Sequence, residues 1–389
     1  MSYSSDKALL PAGMCDILPP DADFEAETTE RLMAFFGSRG YQRVKPPIIE
    51  FEESLLADNG AAMASQSFRL MDPVSRRMMA IRPDMTLQVA RIATTRLANA
   101  PRPLRLSYAG QVLRVKGSQL RPERQFGQVG AELIGPSTPA ADAEVIIMAS
   151  NALSLIGVPG LSVDLGLPAL VPAVIAGHDL DREDEERLHT ALERKDAASV
   201  ASLAGRLGEE RAEILSALLA ATGPAGRALE ALGALDLKGR AAAERDVLSG
   251  VVEGVLAGAG DLKLTVDPVE NRGFEYHTGV TFTFFARGVR GELGRGGRYL
   301  AGDRADEQAT GFTLFMDSVL RALPAPAAQV RVYLPAGTGQ DLEVELHEAG
   351  WVTIAGLEEG ADPEAEALRL GCTHVLAEGE PRELPARKK

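Results

Sequence analysis

The chain predicts an α+β fold: strands gathered into hairpins with amphipathic helices between them, a helical insertion, and a small α/β unit at the C-terminus. Three stretches carry that prediction. PLRLSYAGQVLRV and RQFGQVGAELIG, joined by the polar loop GSQLRPE, read as a long hairpin, because apolar and polar residues alternate with the two-residue period of a strand. From about 168 to 258, Ala, Leu, Glu and Arg dominate at helical spacing with few β-branched runs, which marks a helical insertion. After the linker ALPAPAAQ, strand, helix, strand, helix and strand alternate over about 60 residues, the pattern of a small α/β unit. The expected division is 1–325 for the larger domain, insertion included, and 329–389 for the smaller.

The remaining elements follow in order. Phe24, Leu32, Phe35 and Phe36 recur at helical spacing, Asp21 and Asp23 suit the start of that helix, and Gly37 and Gly40 its stop. YQRVKPPIIEF predicts one short strand interrupted by Pro46 and Pro47. FRLMDPVSRRMMAIR predicts two strands around a turn at Asp72–Pro73, and TLQVARIATTRLANA an amphipathic helix from Thr86. Residues 139–157 predict a further amphipathic helix, and LSVDLGLP a strand. LKLTVDPVENRGFEYHTGVTFTFFAR returns to strands, GVRGELGRGGRYLAGD reads as a glycine-rich turn region, and ATGFTLFMDSVLRAL as a strand running into a helix.

Composition narrows the function. The 389 residues are 45% hydrophobic and 25% charged, with a formal net charge of −14, which disfavours a surface built to grip nucleic acid. Cys15 and Cys372 lie far apart without CxxC or CxxH spacing, so neither a disulfide nor a zinc site is expected and a cytoplasmic protein is. The N-terminus lacks a signal-peptide pattern, and no apolar run reaches the roughly 20 residues that span a bilayer. GxSxG, GxxxxGK[ST] and HExxH are absent, and the five histidines are scattered. No metal or cofactor is expected.

One stretch stands against this acidic background. Residues 113–135 place Arg114, Lys116, Arg121 and Arg124 beside Glu123 and Glu132, with Gln119, Gln125 and Gln128 among them. On the return strand, Gln128 and Glu132 share a face with Phe126 and Gly130, while Val129, Ala131 and Leu133 take the other. That alternation also describes a solvated outer face; the arginines opposite favour a pocket for a charged small molecule.

RPDMT, LRVKG, RQFGQVGAE and NRGFEYHTG, taken in order, resemble the catalytic core of a class II aminoacyl-tRNA synthetase, specifically histidyl-tRNA synthetase. LPAGMCDILPP resembles its opening, GYQRVKPPIIE its motif 1 with Pro47 at the proline, and YAGQVLRVKGSQLRPERQFGQVGAELIG its motif 2. NRGFEYHTG resembles the histidine-specific RGLDYYTG, and GGRY with ATGFTLFMDSVLRAL resembles motif 3. The resemblance covers about 7–322 and implies a class II antiparallel sheet holding histidine and ATP side by side. Residue by residue it implies that Asp84 and Thr86 take the histidine α-amino group, with Asp for the usual Glu. It assigns Gln128 and Glu132 to the amino-acid pocket and Arg114 to the α-phosphate and carboxylate. Arg272, Tyr276 and His277 fall on the histidine-specific motif, His277 where a tyrosine stands, and Tyr299 lies in the retained GGRY.

Two departures strike the nucleotide half. Lys116 stands where the family's Glu accepts from the adenine amino group, and an ammonium has no acceptor to offer. Ser318 stands where an arginine grips the γ-phosphate and stacks on adenine. The tail is shorter than the family's anticodon-binding unit and holds twelve acidic against six basic residues, a surface that repels RNA. A synthetase-like body so altered resembles the regulatory subunit of ATP phosphoribosyltransferase. The resemblance implies a non-catalytic partner of the short-form catalytic subunit in the first step of histidine biosynthesis. It also implies L-histidine as feedback effector and a dimer formed through motif 1. Whether histidine sits in the inherited pocket or at the subunit interface stays open. A divergent histidyl-tRNA synthetase and a tRNA-binding sensor are the alternatives.

Overall fold

The hairpin alternation at 104–135 becomes two long neighbouring strands near one end of a nine-stranded sheet. The structure is a computed structural model and describes residues 9–56, 61–119, 121–178, 180–270, 277–302, 307–326 and 329–385. It forms two compact units, Met1–Pro324 and Ala325–Lys389.

The larger unit opens with α1 (Asp21–Ser38), β1 (Gln42–Arg43), β2 (Ile49–Phe51), α2 (Glu52–Leu55) and α3 (Ala61–Ala64). β3 (Arg69–Met71), β4 (Met78–Ile81), α4 (Thr86–Thr94), β5 (Leu104–Leu113), β6 (Gln125–Gly135), α5 (Pro139–Ile156) and β7 (Ser162–Gly166) follow. The insertion comprises α6 (Leu170–Ile175), α7 (Arg182–Glu193), α8 (Ala197–Ser202), α9 (Ala204–Leu207), α10 (Glu209–Ala220), β8 (Gly223–Pro224), α11 (Ala225–Gly233) and α12 (Gly239–Gly258). β9 (Lys263–Asp267), β10 (His277–Phe285), β11 (Gly294–Leu300), β12 (Gln308–Phe315) and α13 (Met316–Ala322) complete it.

The large sheet runs β1-β5-β6-β12-β11-β10-β7-β9-β8. Its pairings are antiparallel except β1–β5 and β7–β9, which are parallel. A second sheet, β2-β4-β3, stands apart. α1 buries Thr28, Leu32, Met33 and Phe36, one stripe at helical spacing, and sets Phe36 edge-on to Phe312 of β12 at 5.5 Å. α5 starts with Pro139 in its first turn and ends at Gly157 with φ 98°, the usual stop and start chemistry of a helix. By length and composition it is apolar enough to cross a membrane, but most of it is buried inside the fold, where it packs against α1, α12 and β12. The amphipathic reading of 139–157 therefore understates it: this is a core helix. The insertion is tied to the sheet by β8, which pairs with β9, and by Lys195, whose Nζ reaches Asp267 Oδ1 at 2.6 Å and Oδ2 at 2.5 Å.

Three expectations need correction. The glycine-rich 294–300 is not a turn but β11, near the middle of the sheet. Its glycines answer crowding: a Cβ at Gly296 would meet the carbonyl oxygen of Gly311 and lie 2.5 Å from Phe282, the close backbone approach that a strand glycine can signal. YQRVKPPIIEF is not one strand but two, β1 and β2, in separate sheets. The prolines cannot donate to a ladder, and the carbonyls of Pro46 and Pro47 instead accept from Arg82 and Gln88 at 3.1 and 2.8 Å. α4 begins at Thr86 as expected but ends at Thr94, short of the apolar pattern.

The smaller unit has β13 (Arg331–Leu334), α14 (Gln340–Glu348), β14 (Val352–Ala355), α15 (Pro363–Arg369), β15 (His374–Ala377) and β16 (Glu380–Glu383). β14, β13 and β15 run parallel, and β16 closes the sheet antiparallel to β15. β16 goes beyond the expected alternation. Glu378 and Gly379 both have positive φ, 51° and 87°, as a two-residue hairpin turn requires, and Pro381 is tolerated because the strand is an edge.

Gly296→Ala is expected to lower unfolding free energy by about 1–3 kcal/mol through overpacking. Gly226→Ala in α11, where nothing lies within 4 Å of the added carbon, is expected to be neutral or slightly stabilising. Urea denaturation of both variants checks the contrast.

Candidate functional site

The site is assembled by sheet register. Glu132, Gly311, Gly297, Thr281 and Gly166 pair in turn across β6, β12, β11, β10 and β7. One rung along, Gly130, Thr313, Arg295, Thr283 and Asp164 do the same. Cross-strand partners share a face and positions two apart along a strand share it too, so both rungs pave one surface. Three glycines leave the first rung as bare backbone, and neighbouring side chains lie over it. A Cβ at Gly311 would strike the Glu132 carboxylate, one at Gly297 would meet His277 Cδ2 at 2.8 Å, and one at Gly166 would meet Thr281 Oγ1 at 2.6 Å.

At the end of that floor lies a buried polar network. Gln128 is fully buried; its Oε1 accepts from the Met85 amide at 3.0 Å and its Nε2 donates to Asp84 Oδ2 at 2.8 Å. Asp84 Oδ1 accepts from the Thr86 amide at 2.9 Å, fixing the start of α4. Thr86 Oγ1 lies 3.2 Å from the Tyr108 hydroxyl and 3.4 Å from Thr313 Oγ1. Tyr108 and Tyr299 donate to Glu132 Oε1 and Oε2 at 3.1 and 2.9 Å. Burial pushes the Glu132 pKa up to about 8, the tyrosine hydrogen bonds pull it back, and the Asp84 charge adds to the rise. Desolvation likewise raises Tyr108 well above its ordinary value.

Asp84, Thr86, Glu132, His277 and Tyr299, five of the positions marked in the sequence, line a single cavity with Arg295, Thr313, Gly297 and Gly311. Its volume is about 20 Å³, room for about one water. Gln128 supports it from beneath through Asp84. His277 opens β10 opposite Tyr299. Arg272 and Tyr276 lie outside the described residues.

Arg114, Lys116 and Ser318 come together elsewhere, around a second cavity of about 630 Å³. Arg114 is mostly buried, donates from Nε to the Pro83 carbonyl at 3.2 Å and lies over the Phe126 ring; desolvation lowers its pKa. Lys116 is exposed at the rim. Ser318 is buried and accepts from Arg121 Nη2 at 3.2 Å and Arg321 Nη2 at 3.1 Å. Arg121 also donates to Asp317 at 3.2 Å, and its guanidinium sits 3.7 Å from the Phe315 ring centre.

Among the residues of these sites that went unmarked in the sequence are Tyr108, Thr313 and Arg295. Tyr108 left a signal. It pairs with Gly130, where a Cβ would lie 2.5 Å from its hydroxyl, and a glycine opposite a tyrosine in a hairpin marks a ring laid across the sheet. Thr313 and Arg295 left none, because their partners are remote in the chain; Arg121 was visible only as one cation of the basic stretch 113–135.

This fold and this paired arrangement of cavities define a class II synthetase-like body, and residues 13–319 match the family described as Histidyl-tRNA synthetase. Within that class, a protein of Paramagnetospirillum magneticum named ATP phosphoribosyltransferase regulatory subunit is 59% identical over 378 residues, 97% of this chain and 98% of its own length. A Rhodospirillum centenum protein of the same name is 54% identical over 384 residues, 99% of this chain and 98% of its own. The chain belongs to the ATP phosphoribosyltransferase regulatory subunit family. Among solved structures, a regulatory subunit/histidyl-tRNA synthetase from Bacillus halodurans C superposes with a TM-score of 0.79 at 25% identity, over 93% of this chain and 96% of that one.

The Glu132 carboxyl makes stability pH-dependent. Its folded pKa of about 8 lies above the ordinary 4.5, so the folded state holds the proton more tightly. That contribution is complete below about pH 4.5 and is lost as pH rises through about 8. Relative to Glu132→Gln, the wild type should lose unfolding free energy between these limits, by roughly 1.4 kcal/mol per pH unit at most. Urea midpoints of both proteins across the range check this.

Proposed function

We propose that the chain is the non-catalytic regulatory subunit of a two-component ATP phosphoribosyltransferase, acting with a short-form catalytic subunit in the first step of histidine biosynthesis. L-histidine is its effector. The observation that carries the reading is the asymmetry of the two cavities. The residues that would receive an amino acid, Asp84, Thr86, Gln128 and Glu132, form a complete hydrogen-bonded shell. The cavity beside them presents Lys116 and Ser318 where a nucleotide-activating relative needs an acceptor for adenine and a cation for phosphate.

Chemistry supports histidine as the ligand of the smaller cavity. Carboxylates and hydroxyls accept from an ammonium and from imidazole N–H groups, and a cation entering beside Glu132 favours its ionised form. The shell is drawn in to about 20 Å³, too small for an amino acid, so histidine binds only as Glu132, His277 and their neighbours move apart. A ligand that selects one arrangement over another shifts their balance by its difference in affinity. That is what feedback inhibition requires. The subunit forms a dimer through the segment around β1 and β2, works in the cytoplasm, and carries in its smaller unit a shortened counterpart of an anticodon-binding domain.

Mixing the chain with a short-form catalytic subunit is expected to give co-elution on size exclusion and activity that histidine inhibits. Glu132→Ala should weaken inhibition by histidine at least about tenfold while leaving co-elution intact. Formation of histidyl-adenylate by the chain alone, or a catalytic subunit indifferent to it, would sink the reading.

A further inference from the structure

The proposed function gives the larger cavity no ligand, yet that cavity is built rather than vacant surface. Arg114 brings a guanidinium whose Nη2 is buried without a hydrogen-bond partner among the described residues, and a buried unpaired donor of this kind calls for a ligand or an explanation. Lys116 stands at the rim beside it. Arg295 rises from the floor, and register continues its rung through Thr283 to Asp164. Cation, hydroxyl and carboxyl thus follow one another at strand spacing, about 4.8 Å per step. Asp164 accepts from Thr265 at 2.7 Å, which fixes its carboxyl at the far end.

Several further charged groups of the lining have partners among the described residues. Arg121 is spent on Asp317 and Ser318, Glu292 faces Arg121 at 4.0 Å, and Glu123 faces Arg321 at 3.3 Å. Glu270 stands on the lining with Asp164. Arg121 also lies over the buried Phe315 ring at 3.7 Å, and the aromatic ring on the lining itself is Phe285. The cavity keeps a cationic end and a hydroxyl-accepting end, and the Lys116 ammonium offers a base no acceptor.

We propose that this cavity binds a small phosphate ester of a polyhydroxyl compound, a sugar phosphate, with the phosphate on Arg114, Lys116 and Arg295 and the hydroxyls on Thr283 and Asp164. Guanidinium groups pair bidentately with phosphate oxygens, and a carboxylate accepts from adjacent hydroxyls. The volume, about 630 Å³, lies within the range of about 300–1,000 Å³ of small-molecule sites. This inference concerns what the chain itself binds and stands apart from its partnership with a catalytic subunit.

Calorimetric titration of the full chain tests it, with ribose 5-phosphate, inorganic phosphate, ribose and AMP in separate arms. Ribose 5-phosphate is expected to bind at least about tenfold tighter than phosphate, ribose to give no heat, and AMP to bind no tighter than ribose 5-phosphate. Lys116→Glu, at an exposed position, should weaken ribose 5-phosphate about tenfold or more. Asp164→Asn should weaken ribose 5-phosphate and leave inorganic phosphate unchanged, with thermal unfolding confirming that both variants fold. No heat in any arm overturns the proposal. So does phosphate binding as tightly as the sugar phosphate, which would mean a plain anion site, and so does tighter binding of AMP, which would mean a surviving nucleotide site. Indifference of sugar-phosphate affinity to Lys116→Glu also overturns it. None of these outcomes bears on inhibition by histidine in the complex.

Discussion

The side-chain amide of Gln128 holds two separate parts of the chain in one place. Its oxygen takes the Met85 amide and its nitrogen takes the Asp84 carboxylate, so the first turn of α4 is locked to the centre of β6. Being wholly buried, the group has no water to fall back on, and each lost bond would leave a desolvated donor or acceptor costing about 1–3 kcal/mol. The orientation of Asp84, the position of Thr86, and through Thr86 the Tyr108–Thr313–Glu132 cluster all follow from that lock. A shape-driven core could not fix these polar groups to within a hydrogen bond of one another; a satisfied network can.

The parts of this arrangement that were legible in the sequence are those governed by local periodicity. The two-residue alternation of 104–135 gave the hairpin and put Gln128 and Glu132 on one face, and the helical spacing of 168–258 gave the insertion. Where tertiary contact overrides local preference, the sequence misleads. GELGRGGRY has the composition of a turn, yet it lies near the middle of the sheet because Phe282 and the backbone at Gly311 leave no space for side chains. Arg295 and Thr313 reach the site through register between strands distant in the chain, and no motif spacing records that. Arg121 was legible as one of the cations of a candidate pocket, but its contacts with Asp317, Ser318 and the Phe315 ring were not.

The two cavities show how an old catalytic surface can be divided. In one, a carboxyl is kept so dry that its pKa rises to about 8, a state that a cationic ligand would reverse. In the other, the protein engages its own Arg121 with Asp317 and the Phe315 ring. Sensing calls for the first kind of site, in which occupancy and conformation are linked. Turnover would require the second to be restored, and both Lys116 and Ser318 work against that.

The bare rung of Gly166, Gly297 and Gly311 has an evolutionary corollary. A Cβ added there would collide with Thr281, His277 or Glu132, so the pavement beneath the two cavities resists substitution unless those side chains move. Divergence is channelled into the walls and rims, where Lys116 and Ser318 sit. A lineage can thus exchange one small molecule for another, or chemistry for signalling, by redecorating an unchanged foundation.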